Sequence, residues 1–179
     1  MTDLDAFTVD LDGPMYVVTA AAGDRRAGCL VGFASQCSIH PPRFVVWLST
    51  ANHTYRVARD ASHLTVHLLR ADQKTLAERF GSRTGDRVDT FAGTAWRPGT
   101  EGSPVLVEAD TWFTGRVEGQ IEGGDHVGFL LAPVAEGRPR PDQGGPAGDG
   151  PARERPAGGT RPAPLRYGDV RDVEPGHAP

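Results

Sequence analysis

The sequence predicts a mainly β protein: a closed antiparallel barrel with two short helices and a disordered Pro/Gly-rich insertion near the C-terminus. Three observations predict it. Six or more runs rich in Val, Leu, Phe, Trp and Thr are bounded by Gly, Pro and Asp turn signals. Only two segments combine helical spacing with a cap. Gly and Pro fill 13 of the 28 positions from 136 to 163, and that stretch holds no large apolar residue to bury.

MYVVTAAA (15–22) ends at the turn signal Gly23-Asp24, and AGCLVGFAS (27–35) follows, so the two read as a hairpin. RFVVWLS (43–49), started by Pro41-Pro42, and LTVHLL (64–69) are the next strands. Between them TYRVARDA (54–61) reads as a helix capped by Asn52 or Thr54. ADQKTLAERFG (71–81) puts Leu76, Ala77 and Phe80 on one helical face, with Asp72 near its start and Gly81 as its stop. VLVEADTWFTGRVEGQI (105–121) and HVGFLLAPV (126–134) form a second hairpin across Glu122-Gly123-Gly124-Asp125. Hairpin connections favour an antiparallel barrel over a parallel α/β sheet. The chain thus divides into a barrel domain over 5–135, the insertion over 136–163, and a returning segment over 164–179. In that last segment Leu165, Tyr167, Val170 and Val173 are placed to dock on the barrel.

Nineteen Lys and Arg stand against 23 Asp and Glu, a net charge of -4. Without a basic excess the chain lacks the surface expected of a nucleic-acid or anionic-membrane binder. No apolar run approaches the roughly 20 residues that span a bilayer, and the acidic start MTDLDAFTVDLDG has no secretory core, so a cytoplasmic protein is expected. On one strand Cys29 and Cys37 would stand about 26 Å apart, too far for a disulfide, so both are expected reduced in small packing positions. No His/Cys spacing suits a metal, and GxGxxG, P-loop and GxSxG motifs are absent.

Three stretches carry candidate chemistry. In GCLVGFASQCSIHPPRF (28–44), Gly32 and the small residues after it leave backbone groups reachable. A flat heteroaromatic ligand with donors and acceptors on its rim would suit that strip; a bulge or barrel corner with no ligand would use the same residues. In ANHTYR (51–56), Asn52 and Thr54 begin a short helix beside Arg56, which suits a phosphate or serves as an ordinary N-cap. In GGDH (123–126), His126 opens a strand after a glycine turn, placed either for proton traffic and ring positioning or for a local Asp-His pair only.

Read in order, MYVVTA, AGCLVGFASQCSIHPPRFVVWLS, NHT, VHLLRADQKTLAERFG, GSPVLVEADTWFTGRV and GGDHVGFLLAPV resemble the flavin reductase-like family, an FMN-binding split barrel, over roughly residues 8 to 135. PLRYGDVRDVEPG resembles the family's closing segment. The resemblance implies a homodimer holding FMN, or FAD, at its interface. Leu30, Val31, Gly32, Phe33, Ala34, Ser35, Gln36 and Ser38 would lie along the isoalloxazine and ribityl chain. Asn52, His53 and Thr54 would lie near the phosphate, with Ser82 and Arg83 adding to it. His126 would stand near the reactive face, where NAD(P)H stacks as co-substrate. The implied activity is hydride transfer from NAD(P)H to flavin, in many members as the reductase partner of a monooxygenase. Leu30 and Phe33 stand where many members carry a Thr-x-x-Ser arrangement, and the Gln36 amide is a partial substitute. Two other readings remain open: a tightly bound flavin or deazaflavin acting on an organic substrate, and a non-enzymatic flavin-binding or partner-docking module.

Overall fold

The run Tyr16–Ala22 (β1) lacks the apolar–polar alternation of a half-exposed strand because both of its faces are covered. Val18 and Ala20 face one hydrophobic core and Val17 a second one, on opposite sides of the same sheet. A computed structural model describes residues 4–82, 89–137 and 162–173. Its other strands are Arg25–Val31 (β2), Ala34–Ser38 (β3), Arg43–Ser49 (β4), His63–Leu68 (β5), Trp96–Pro98 (β6), Pro104–Leu106 (β7), Thr111–Glu122 (β8) and His126–Gly137 (β9). The helices are Asp5–Thr8 (α1), His53–Ala58 (α2) and Lys74–Gly81 (α3).

Seven strands form one sheet in the order β2-β1-β5-β8-β9-β4-β3, every neighbouring pair antiparallel. Directions alternate along that order, so the two edge strands, β2 and β3, run the same way. They are also consecutive in the chain, joined only by Gly32 and Phe33. One stretch of chain therefore supplies both edges of a sheet curled around a core that takes Cys29 and Val31 from β2 and Val46 and Leu48 from β4. This corrects the expected closed barrel: among the described residues no ladder joins β2 to β3, so the sheet is not closed. Parallel strands need a crossover of about a dozen residues to lie side by side, and two residues cannot supply it.

The expected single strand 27–35 is accordingly two. The expected strand 105–121 is also two, because Pro104–Leu106 pairs with Trp96–Pro98 in a separate ribbon that the sequence reading missed. That ribbon covers the outer face of β1 and β5 through buried polar groups. Thr19 Oγ1 donates to the Pro104 carbonyl at 2.5 Å, and Thr65 Oγ1 lies 2.8 Å from Ser103 Oγ and 2.9 Å from Thr114 Oγ1. The second core lies beside it, where Leu76, Ala77 and Phe80 of α3 meet Val17 and Leu69. Gly28 lets α3 approach β2, since a Cβ there would stand 2.8 Å from the Phe80 ring. α3 ends at Gly81, the expected stop, and Ser82 follows as its C-cap.

Leu165 completes this core. Its N–H donates to Leu69 O at 2.9 Å, and its carbonyl accepts from Met15 N at 2.8 Å. Residues 138–161, most of the stretch expected to be a disordered insertion, lie outside the described residues, as do residues 174–179. Among the described residues no helix is long and apolar enough to cross a membrane.

Candidate functional site

Gly32 and Phe33 form the link between the two sheet edges. The Phe33 carbonyl accepts from Trp47 N at 2.9 Å. Neither the Gly32 nor the Phe33 N–H has a backbone acceptor among the described residues. Both residues are exposed, and a Cβ on Gly32 would meet nothing nearer than Met15 Sδ at 3.5 Å. The link is thus an open strip whose two N–H donors have no partner among the described residues. Leu30 and Val31 precede it differently: Val31 is buried, and Leu30 is half-buried against the α3 side.

β3 continues from the strip along β4. Ala34 is half-buried against the first core, while Ser35 and Gln36 are exposed. The Gln36 amide donates to Ser38 O at 3.1 Å, so its donor is used locally. Ser38 pairs with Arg43 at the far end of β3, away from Phe33. Cys37 is exposed and Cys29 buried, and both are free thiols; the expectation that both fill packing positions holds for Cys29 only. Burial pushes the Cys29 thiol up to about 12, against a lowering hydrogen bond from Thr54. A thiol so raised is not a nucleophile near neutral pH.

His126 reaches the same end of the sheet by register. It pairs with Ser49, two residues beyond Trp47 on β4. Its imidazole Nδ1 lies 2.9 Å from Asp125 Oδ1, and its ring centroid lies 5.4 Å from that of Phe33 at an interplanar angle of 58°. A carboxylate only accepts, so Nδ1 donates to Asp125, which leaves Nε2 as the ring nitrogen with no hydrogen-bond partner among the described residues. The hydrogen bond from His126 holds the Asp125 carboxyl below its usual value. Asp125 is itself fixed, its carbonyl accepting from Thr50 N at 2.9 Å and Thr50 Oγ1 at 3.1 Å.

The turn that holds Asp125 leads into α2. Asn52 N donates to Ser49 O at 3.0 Å, and Asn52 Oδ1 accepts from Thr54 N at 2.9 Å as an N-cap. Thr54 is buried over Cys29, so its hydroxyl points into the core. Arg56 Nη2 lies 3.3 Å from His53 Nδ1. Ser82 ends α3, its Oγ donating to Glu78 O at 2.6 Å, next to Gly81, which packs on Leu30; Arg83 lies outside the described residues.

The strip, His126 and the Asn52 turn therefore converge, whereas Ser38 lies at the far end of β3. Sequence reasoning missed Trp47 and Thr50. Trp47 left one signal, glycine at 128 directly across from it, where a Cβ would stand 3.0 Å from the indole. Among the described residues no group of three or more His, Cys, Asp or Glu side chains could hold a metal ion.

The chain matches the flavin reductase like domain family over residues 9–149. It is 30% identical over 149 residues to the flavin-dependent monooxygenase reductase subunit HsaB of Mycobacterium tuberculosis, covering 81% of this chain and 70% of that protein. It is 28% identical over 123 residues to the "probable flavin reductase" of Rhizobium meliloti, where it covers 69% of this chain but spans only 39% of that protein's length. Among solved structures, the FMN-binding protein from Thermus thermophilus with bound 1-cyclohex-2-enone superimposes with a TM-score of 0.71 at 25% identity over 77% of each chain. The NADH:FAD oxidoreductase of Streptomyces globisporus gives 0.67 at 23% identity over 77% of this chain and 86% of that one, a likeness of fold.

Proposed function

The chain belongs to the flavin reductase-like domain family, and we propose that it is an NAD(P)H:flavin oxidoreductase that binds FMN, or FAD in its place, along residues 30–36. The observation that carries this reading is the open strip at Gly32 and Phe33 set beside His126. The residues suit a flavin: the two N–H donors of the strip match a planar ring edge rich in acceptors, and the small side chains of Ala34 and Ser35 let such a ring approach the backbone. When bound, the flavin supplies the hydride acceptor.

The protein's share is orientation, which can supply several kcal/mol of a barrier without any covalent step. Gly32 and Phe33 N–H groups hold the ring edge. The Asn52 turn lies nearest to receive the phosphate, through Asn52 and His53 rather than through the buried Thr54. His126, its Nδ1 proton tied to Asp125, offers Nε2 as an acceptor to the carboxamide N–H of a nicotinamide. No fast proton is needed from it, because hydride moves without one. The proposal includes a homodimer that covers exposed apolar side chains such as Ile39, and a role as the reductase partner of a flavin-dependent monooxygenase.

The test is direct. The full chain is titrated with FMN and FAD by flavin fluorescence, and oxidation of NADH and NADPH is followed with each flavin. Turnover of free flavin supports the reading. A protein that ignores both flavins sinks it, and sedimentation of a monomer in the presence of flavin removes the dimer. One observation favours a second reading, a retained flavin acting on an organic substrate: the Thermus thermophilus relative holds 1-cyclohex-2-enone. Tight flavin retention without NAD(P)H oxidation would favour it.

A further inference from the structure

We propose that Phe33 is a positioning residue for His126 and thereby sets how the nicotinamide is bound, an inference that rests on the reductase reading above. Phe33 is 65% exposed. Scattered exposed apolar side chains need no explanation, so exposure alone argues nothing. What singles Phe33 out is where its ring is held.

Its carbonyl is fixed to Trp47 N on one side of β4, and His126 is paired with Ser49 on the other side. Trp47 and Ser49 are two residues apart, so they project from the same face, about 7 Å apart along the strand. Leu48 between them points into the core. The two side chains thus lean toward each other over the outer face of β4, and their rings meet at 5.4 Å and 58°, within the range of attractive tilted aromatic pairs. Asp125 holds Nδ1 at 2.9 Å, which fixes which nitrogen carries the proton and limits rotation of the ring. Phe33 supplies the remaining constraint by packing on the ring itself. Only Nε2 is left without a partner among the described residues, and it is the atom proposed to meet the carboxamide.

Phe33 belongs at the same time to the flavin strip, but there it acts through its backbone, which substitution of the side chain keeps. That separates the two roles. The experiment compares Phe33→Ala, Phe33→Leu and Phe33→Tyr in the full chain with wild type. Flavin Kd is read by fluorescence, KM and kcat with NADH and NADPH, and the imidazole of His126 by nitrogen and proton NMR of the protein without added nucleotide. The expected result is a rise in KM of roughly 3- to 10-fold for the Ala and Leu variants. kcat stays within about twofold, because removing uniform binding raises KM alone, and flavin Kd stays within about twofold, because every variant keeps the backbone N–H groups of the strip. Phe33→Tyr, which keeps the ring, restores the wild-type KM. In the NMR arm the Ala and Leu variants lose the aromatic ring-current shift on the His126 ring protons, and Tyr keeps it.

An unchanged KM in both ringless variants overturns the proposal, as does a His126 ring spectrum indifferent to residue 33. A KM raised equally in all three variants does the same. If wild type oxidises neither NADH nor NADPH, the reductase reading fails on its own. The packing of Phe33 on His126 is then decided by the NMR arm, where a ring-current shift lost in Ala and Leu and kept in Tyr sustains it and no change ends it.

Discussion

His67 and Leu106 are joined across two layers of the protein: the Leu106 N–H donates to Nε2 of His67 at 3.0 Å. The other nitrogen, Nδ1, donates to Val17 O at 3.0 Å. The imidazole, fully buried, is therefore a neutral clamp between β5, β1 and the β6–β7 ribbon. A proton added at Nε2 would face the Leu106 N–H, donor against donor. Desolvation by burial pushes the His67 pKa down from 6.5 to about 4.

Because the folded value lies below the unfolded one, the unfolded chain takes up the proton first. Stability from this clamp is complete above the unfolded pKa and is lost as pH falls from about 6.5 toward 4. The loss approaches about 3 kcal/mol at the acid end. Urea unfolding should therefore show a stability roughly 2 kcal/mol lower near pH 5 than near pH 7. His67→Gln, which cannot take up a proton there, should flatten that slope. Parallel pH profiles for the variant and wild type would remove His67 from the account.

Trp47 covers the β8–β9 hairpin. A Cβ on Gly123 would stand 2.6 Å from its indole, and one on Gly128 3.0 Å. Gly128→Ala is expected to cost about 1–3 kcal/mol by overpacking. Gly123→Ala should also disturb the turn that presents Asp125 and His126. The expected readings are a lower melting temperature for both and altered tryptophan fluorescence. An unchanged emission spectrum and melting temperature would show that the indole is not held where it lies.

His126→Ala is expected to raise the KM for NAD(P)H several-fold while flavin Kd stays within about twofold. Steady-state kinetics beside a fluorescence titration check it. A flavin Kd that worsens as much as KM would assign His126 to flavin binding instead.

The Asn52 side chain caps α2 through Thr54 N at 2.9 Å. Asn52→Ala should cost about 1 kcal/mol of stability, and Asn52→Asp, which keeps the acceptor, a few tenths. If the Asp variant nevertheless loses flavin affinity, the added charge is repelling a nearby anion, as the phosphate proposal requires. An affinity unchanged in both would move the phosphate elsewhere.

Replacing residues 138–161 by a Gly/Ser linker of about eight residues is expected to change stability by less than about 1 kcal/mol, since closure entropy varies slowly with loop length. Its two flanks are anchored independently, Gly137 against Trp112 and Ala163 by Ala71 N at 2.8 Å. Calorimetry of the shortened chain, with NAD(P)H oxidation as a second reading, checks it. Loss of a monooxygenase interaction with stability intact would make the insertion the docking element.

Local signals carried most of the fold. The Gly23 turn, the Asn52 cap and the Leu76, Ala77, Phe80 face are decided within a few residues, and each is where the sequence put it. The break at Gly32 and Phe33 was not legible as a break, because β2 and β3 run in the same direction and the apolar run passes through. The ribbon at Trp96 was invisible for another reason: strands of three residues carry too little pattern to show a period. At the site, His126 was legible from its glycine turn, but its meeting with Phe33 depends on two registers against β4. Register is a property of paired strands, not of either one alone.

The link at Gly32 and Phe33 also makes the two rims of the sheet mechanically one object. Free sheet rims normally invite pairing with other chains, and proteins blunt each of them separately. Here a single short tether ends both, so whatever settles on it, a ring or a second copy of the chain, stiffens both rims in one step. Amide exchange should then slow together in β2 and β3 when a ligand binds, although the two strands never share a hydrogen bond.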